Sequence, residues 1–326
     1  MRIFIAGASG ALGRPLVRRL LDDGHEVVGL TRSPAKATAL EAAGARAARG
    51  DALDGADVLR AVGEARPSAI VQILNALPPR GPMRPRELNA TNELREKATA
   101  NLLEAARHHG VERYVAESMI FGYGYGDVDA VATESSPFPV EAPAPAFKPA
   151  LDAMGSLESH VLSASRRGDV EGIVLRLGLF YGPGVGSTEF MATMLRRRLL
   201  LLPGGGRGVL SWIHVEDGAS AIRSALAEGS PGDVFNVVDD EPVSIWDFVT
   251  ELARVLELPA PRSVPAWMGR LGGKYMALMA STRLRVSNER IKSKLAWEPA
   301  YPTVRDGLRS LAADDPRPAR SRDAAA

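Results

Sequence analysis

Cysteine is absent from the 326 residues, which removes disulfides, thiolate nucleophiles and Cys-ligated zinc from consideration. An excess of one charge is missing as well. The 40 Lys and Arg against 39 Asp and Glu leave a formal net charge of +1, so there is no electrostatic footprint for nucleic acid or an anionic membrane. No apolar run approaches the roughly 20 residues that a membrane span requires. His25, His108, His109, His160 and His214 show no ligand spacing with a carboxylate, so no metal site is expected. What is present is an ordinary globular composition, 45% hydrophobic and 24% charged, at a length that buries a full core. Met1-Arg2-Ile3-Phe4-Ile5 runs directly into a strand. The expectation is a cytoplasmic protein acting on a small-molecule substrate, with a homodimer as the assembly to test.

The first half alternates strand and helix. Arg2–Ala6 is a short apolar run bounded by Gly7, and Gly24 closes a helix with Leu12, Leu16, Leu20 and Leu21 on one side. Glu26–Leu30 reads as a second strand. Ser33-Pro34 then supplies an N-cap and a proline at the first helical position. Further strands are expected at Arg46–Arg49, Ala69–Leu74 and Arg113–Ala116, separated by helices near Asp54–Glu64 and Arg86–His109. Such alternation implies an α/β fold with a parallel, doubly wound sheet. After Phe180 the elements shorten, and capping boxes at Ser244…Asp247 and Thr303…Asp306 open two helices. Ala132–Pro149 should be a long loop, either a lid or a surface excursion. Residues 314–326 are polar and Pro/Arg/Ala-rich, which predicts a disordered tail.

Gly7-Ala8-Ser9-Gly10-Ala11-Leu12-Gly13 follows the first strand and opens the first helix. In that position glycines permit a tight turn and close approach to a pyrophosphate seated on the helix N-terminus. The reading is therefore a Rossmann-type nucleotide-binding unit. Arg32 ends the second strand nineteen residues beyond Gly13, where an NAD binder would place a carboxylate for the ribose 2′-hydroxyl. Between Asp23 and Glu41 the only carboxylate is Glu26, near the start of the strand. The guanidinium fork of Arg32, with Ser33 and Lys36 nearby, matches a 2′-phosphate, so NADP is the expected cofactor.

With these motifs placed, the chain resembles the extended short-chain dehydrogenase/reductase family, particularly its NAD(P)-dependent epimerase/dehydratase branch, from Met1 to about Leu311. The landmarks are the glycine loop, Gly50-Asp51-Ala52, Asn75-Ala76-Leu77, and Asn101-Leu102-Leu103-Glu104-Ala105-Ala106. Leu175-Arg176, Tyr181-Gly182-Pro183-Gly184, Trp212-Ile213-His214-Val215-Glu216-Asp217, Phe235-Asn236-Val237 and Leu295-Ala296-Trp297-Glu298-Pro299 follow in order. The resemblance implies that Asp51 and Ala52 meet the adenine. It places Asn75, Ala76 and Leu77 on the ribose side and Gly178 and Leu179 near the nicotinamide. It also implies an organisation of residues 1–180 as the NADP-binding domain, its sheet completed by parts of 205–240. Residues 181–313 would then form mainly a smaller substrate-binding subdomain.

One departure matters. Hydride-transferring members use a Ser/Thr, a Tyr and a Lys four residues after the Tyr, the lysine lowering the phenol's pKa. Here no tyrosine lies between Tyr125 and Tyr181. The aligned positions are Ala150 and Met154, with Met119 at the Ser/Thr position and Ser118 one residue early. Tyr123, Lys148 and Ser118 are the replacement candidates, with Tyr125, Asp152 and His160 behind them. A turn tyrosine and a solvated lysine are the plainer alternatives. His214 fits a structural role better than a catalytic one. Tyr181, Met191 and Trp212, with the loop and the Trp267–Met279 stretch, are expected to line a substantially apolar substrate site. Three functions fit: an NADP-dependent oxidoreductase with a substituted proton donor, a redox-neutral isomerase, cyclase or dehydratase, and a non-enzymatic NADP-sensing module.

Overall fold

A computed structural model of the chain describes residues 1–128, 130–269 and 274–313. Its first part alternates β1 (Arg2–Ala6), α1 (Gly13–Asp22), β2 (Glu26–Thr31), α2 (Pro34–Ala42), β3 (Arg46–Arg49), α3 (Gly55–Ala65) and β4 (Ala69–Gln72). Then come α4 (Asn89–Glu93), α5 (Thr99–His109), β5 (Arg113–Met119), α6 (Lys148–Arg167) and β6 (Glu171–Leu177). Shorter elements follow: β7 (Leu179–Tyr181), α7 (Gly186–Arg196), β8 (Leu201–Pro203), β9 (Val209–Leu210), β10 (Trp212–His214), α8 (Val215–Glu228), β11 (Val234–Val237), β12 (Val243–Ser244) and α9 (Ile245–Val255).

Seven strands form one sheet in the order β11-β6-β5-β4-β1-β2-β3, and every pair is parallel. This is the doubly wound α/β architecture expected from the alternation. β1 is buried on both faces, as a central parallel strand must be. Ile3 and Ile5 pack with Leu16 and Leu20 of α1 and Ile222 of α8. Phe4 packs on the opposite face with Val58, Val62 and Leu102 from α3 and α5. The chain reverses its winding between β1 and β4, which opens a crevice at their carboxyl ends, the usual ligand position in such sheets.

Local chemistry sets the helix ends. Ser33 accepts from the Lys36 amide at 3.4 Å, with Pro34 in the first turn. Ser244 and Thr303 accept from the amides of Asp247 and Asp306 at 3.0 and 3.2 Å, as the capping boxes require. Several bounds change: β4 stops at Gln72 instead of Leu74, and α6 already begins at Lys148, inside the expected loop. The single helix over Arg86–His109 is broken into a 3₁₀ turn (Pro85–Leu88), α4, a π-helical segment (Leu94–Ala98) and α5. β5 also runs three residues further than Ala116, because β6 pairs with it as far as Met119 opposite Leu177.

The Ala132–Pro149 loop is pinned rather than free. The Val140 amide donates to the Gly122 carbonyl at 2.9 Å, and Phe138 and Pro139 press against Gly122 and Gly155. The expected tail at 314–326 lies outside the described residues, as do residues 270–273 of the Trp267–Met279 stretch.

Candidate active site

The β1–α1 turn is shaped by its glycines. Gly7 has φ +108°, a conformation that side chains rarely adopt, and a Cβ at Gly13 would run into the carbonyl oxygens of Gly7 and Ala8. At Gly10 a Cβ would meet only the Gly7 oxygen, at 3.2 Å, and otherwise face open space. α1 starts without a side-chain cap and without an acidic residue in its first turn. A helix start without a capping or acidic side chain leaves its positive end for an anion.

The crevice holds about 180 Å³ and is lined by Gly7, Ser9, Gly10, Asp51, Ala52, Asn75 and Ala76 among the expected cofactor residues, and by Arg32 and Lys36 at one edge. The backbone of the turn and the absence of a blocking side chain fit a dinucleotide. Ala11 is half-buried, while Leu12 and Gly13 are buried below the turn. Asn75 and Ala76 are held by the Ala76 amide, which donates to Thr91 Oγ1 at 3.0 Å. Leu77 stands outside the lining and is 38% exposed. Gly178 is explained by packing, since a Cβ there would crowd the Ser211 and Trp212 backbone at 2.9–3.0 Å. Leu179 is half-buried against the apolar cluster that holds Tyr181, Trp212 and Phe248.

Arg32 reaches across the crevice edge to Asp51 at 3.0 Å, with its side chain 72% exposed. An exposed pair of this kind contributes at most about 1 kcal/mol. The guanidinium is thus available to a stronger anion.

The replacement candidates are not brought together. Tyr123 is buried, its hydroxyl donating to Asn236 Oδ1 at 2.7 Å and accepting from Arg176 at 2.7 Å. Arg176 in turn holds Glu158 of α6 in a buried ion pair at 2.7 Å and lies 3.7 Å over the Phe138 ring. Burial raises the Tyr123 pKa against the lowering by Arg176. As a correction, Tyr123 is a fixed member of a structural network with no free hydroxyl for a substrate. Lys148 is corrected too: its side chain is 66% exposed and its ammonium is taken by Asp152 at 2.7 Å. Ser118 is fully buried, and its hydroxyl has no hydrogen-bond partner among the described residues.

Two expected substrate residues are core residues. Tyr181 is fully buried and donates to Asp239 at 2.8 Å. Trp212 stacks on Phe248 with centroids 3.9 Å apart. Neither has a face left for a ligand, while Met191 is half-buried against the same cluster. His214 is structural as expected: its Nδ1 accepts from the Glu216 amide, and burial pulls its imidazole down to about 4.

A different group stands where β5 ends. Glu117 is half-buried, its Oε2 fully enclosed without a hydrogen-bond partner, and burial pushes its carboxyl up to about 7 against the lowering charge of Arg95. Arg95 lies in the π-helical segment, and no hydrogen bond or ion pair of its guanidinium appears among the described residues. Burial lowers the Arg95 pKa, with Glu117 and then Tyr125 opposing. Tyr125 stacks on Phe121 with ring centroids at 5.1 Å and packs against Phe147 at 4.8 Å. Burial pushes its hydroxyl up to about 12, again against Arg95. π-helical turns occur disproportionately at functional sites. Reading the sequence for a tyrosine–lysine pair passed over Glu117 and Arg95. A carboxylate directly after the apolar run Tyr114-Val115-Ala116 was the available signal.

Residues 3–238 match the model of the NAD dependent epimerase/dehydratase family. A 3-diazoavenalumate denitrifying reductase from a Streptomyces species is 38% identical over 311 residues, 94% of this chain and 99% of that protein. A UDP-glucose 4-epimerase from Mycolicibacterium smegmatis is 28% identical over 315 residues, 92% of this chain and 94% of that one. Among solved structures, the Thermus thermophilus UDP-glucose 4-epimerase in complex with NAD superposes with a TM-score of 0.77 at 23% identity, covering 96% of this chain and 98% of that chain.

Proposed function

Because the chain belongs to the NAD-dependent epimerase/dehydratase family of extended short-chain dehydrogenases/reductases, we propose that it is an NADP-dependent oxidoreductase acting on a small, substantially apolar carbonyl or alcohol substrate. The observation that carries this reading is the crevice edge. Arg32 and Lys36 line it, and two cations beside the adenosine position favour a 2′-phosphate over a bare hydroxyl. When bound, the nicotinamide supplies the hydride. The glycine turn and the start of α1 hold the pyrophosphate, and Asn75 and Ala76 flank the ribose side. A reductase at 38% identity supports net redox chemistry over a redox-neutral isomerisation.

α6 carries no tyrosine and a single lysine, the exposed Lys148. Ala150 and Met154 occupy the positions assigned to the usual pair and are buried, at 3% and 2% exposure. That observation favours a second, narrower reading, in which the acceptor is a diazo or diazonium carbon like that in the named relative's substrate. Hydride replacing N₂ on an arenediazonium cation gives the arene and neutral N₂, which balances without a proton donor.

The test is to follow NADPH and NADH absorbance together with product mass on ketones, enones and an arenediazonium salt. The reading expects NADPH binding and consumption with at least one of them. Gly10→Val should abolish cofactor binding while circular dichroism retains the α/β signature, because the added side chain enters the crevice. Retained NADPH binding by the folded variant would reduce the glycine loop to a turn.

A further inference from the structure

We propose that Glu117 is the proton donor of this enzyme and that Arg95 holds the substrate oxygen that receives the proton. This rests on the NADP-dependent reduction proposed above. The two groups lie on β5 and on the π-helical segment, and the Arg95 charge acts on the Glu117 carboxyl. Glu117 is near the end of β5, two strands from β1 and its glycine turn, in the strand order β5-β4-β1. Arg95 follows Leu94, which itself lines the cofactor crevice.

Three observations single out this pair. An enclosed carboxyl oxygen without a hydrogen-bond partner is costly, and a fold keeps one where another molecule completes it. The Glu117 Oε2 is such an atom. A guanidinium is a planar, permanent cation suited to a carbonyl oxygen gaining negative charge. Arg95 has no ion pair within 4 Å among the described residues, although Glu117 feels its charge. Its π-helical turn also displaces it from regular helical phase, a distortion that tertiary packing has to sustain. Tyr125, which feels the Arg95 charge, stacks on Phe121 and packs against Phe147, so the surroundings of the pair are largely apolar.

The reaction balances with these groups alone and bound NADPH. The carbonyl carbon accepts the hydride, the C=O π pair moves onto oxygen, and that oxygen takes the Glu117 proton. The products are an alcohol, NADP⁺ and a Glu117 carboxylate, which solvent reprotonates. Burial holds the donor protonated up to pH of about 7, near the working range where a general acid is most effective. Arg95 is the charged group that acts on it, and Tyr125, which also feels Arg95, stays neutral with its hydroxyl near 12.

The experiment compares wild type with Glu117→Gln, Glu117→Asp and Arg95→Met on a carbonyl substrate found by the panel. Glu117→Gln should cut turnover on the order of 10²–10⁴-fold while NADPH affinity stays within about twofold, and Glu117→Asp should recover part of the loss. The wild-type kcat/KM should fall above pH of about 7. In Arg95→Met that limb should move to higher pH, since Arg95 lowers the Glu117 pKa, and KM should rise. Independently of turnover, infrared titration should find a carboxylic C=O stretch lost near pH 7 and absent from Glu117→Gln. Retained turnover in Glu117→Gln, or a wild-type limb unmoved by Arg95→Met, overturns the proposal. If wild type never consumes NADPH or NADH, the functional reading itself fails. Turnover confined to the diazonium salt and indifferent to Glu117→Gln overturns this proposal and selects the narrower reading.

Discussion

Two regions along the carboxyl edge of one sheet are built from different materials. At the β1–β4 crevice, recognition is backbone work: a glycine turn, a helix start without a side-chain cap, and Asn75 and Ala76 held through a main-chain amide. At the end of β5 it is side-chain work, with Glu117, Arg95 and Tyr125 drawn from β5, a π-helical turn and a loop. The first region is assembled from short turns at the ends of successive strands, each decided by a few neighbouring residues. The second depends on long-range packing and holds an enclosed, unpaired carboxyl oxygen. The difference teaches where stability and function part company. Neighbouring Tyr123, Arg176 and Glu158 bond to one another, with Asn236 joining through Tyr123 and Ser287, whereas Glu117 Oε2 has no such bond among the described residues.

The largest expected effect tests that contrast through stability. Arg176→Met leaves Glu158 charged, buried and alone, and removes the donor to Tyr123. Breaking one half of a buried ion pair typically costs about 3–5 kcal/mol, which urea unfolding monitored at neutral pH will show. A loss below about 1 kcal/mol would make the network no more than an exposed pair and blur the distinction between the two clusters.

Glu117→Gln should act in the opposite direction. The folded-state carboxyl titrates near 7 against 4.5 for the free group, so the native state binds more protons between those values. Stability from this group is fully present below about pH 4.5 and is lost as pH rises through 7. At pH 8 the wild type therefore carries an ionised carboxylate worth up to about 3 kcal/mol of destabilisation, at roughly 1.4 kcal/mol per pKa unit. The amide variant should unfold later than wild type at pH 8 and lose that advantage near pH 4.5. An equal or lower melting temperature at pH 8 would contradict the burial cost on which the proton-donor argument draws.

The contrast also explains what the sequence makes legible. The parallel sheet, the glycine turn with Arg32 and Lys36, and the caps at Ser33, Ser244 and Thr303 follow from local rules, while Asp51, Ala52, Asn75 and Ala76 come from the family resemblance. The local features depend on backbone conformations that a few neighbouring residues decide. Tyr181 and Trp212 read as substrate lining because large aromatic residues suit pockets and cores alike, and only packing against Asp239 and Phe248 separates the cases. Tyr123 and Lys148 drew attention as substitutes for a missing pair, yet one is locked by Arg176 and the other faces solvent. The break in the helix that carries Arg95 has no proline to announce it, so its phase could be read only from the folded chain.

A smaller effect probes the crevice. Arg32 gives up only an exposed pair with Asp51 when it turns to a 2′-phosphate. A charge-assisted bond of this kind contributes on the order of 1–3 kcal/mol. Arg32→Ala should therefore weaken NADPH roughly 5- to 150-fold and leave NADH nearly unchanged, measured by fluorescence titration of both. Equal losses for the two cofactors would move Arg32 away from the phosphate and remove the reason for preferring NADP.

The smallest expected effect is at Lys148, and its smallness is informative. Its ammonium sits 2.7 Å from Asp152 one helical turn away, with both side chains more than half exposed. Exposed i,i+4 pairs contribute about 0.3–0.5 kcal/mol, and solvent competes for both partners. Lys148→Met should shift stability by no more than that and change turnover less than about twofold, since neither number involves a group touching the β5 end. The change keeps the aliphatic stem, so lost packing does not confuse the reading. A tenfold fall in turnover would instead place the start of α6 beside the substrate. The reaction would then run through a lysine as in the wider family, and Glu117 would be left as an expensive buried acid without a task.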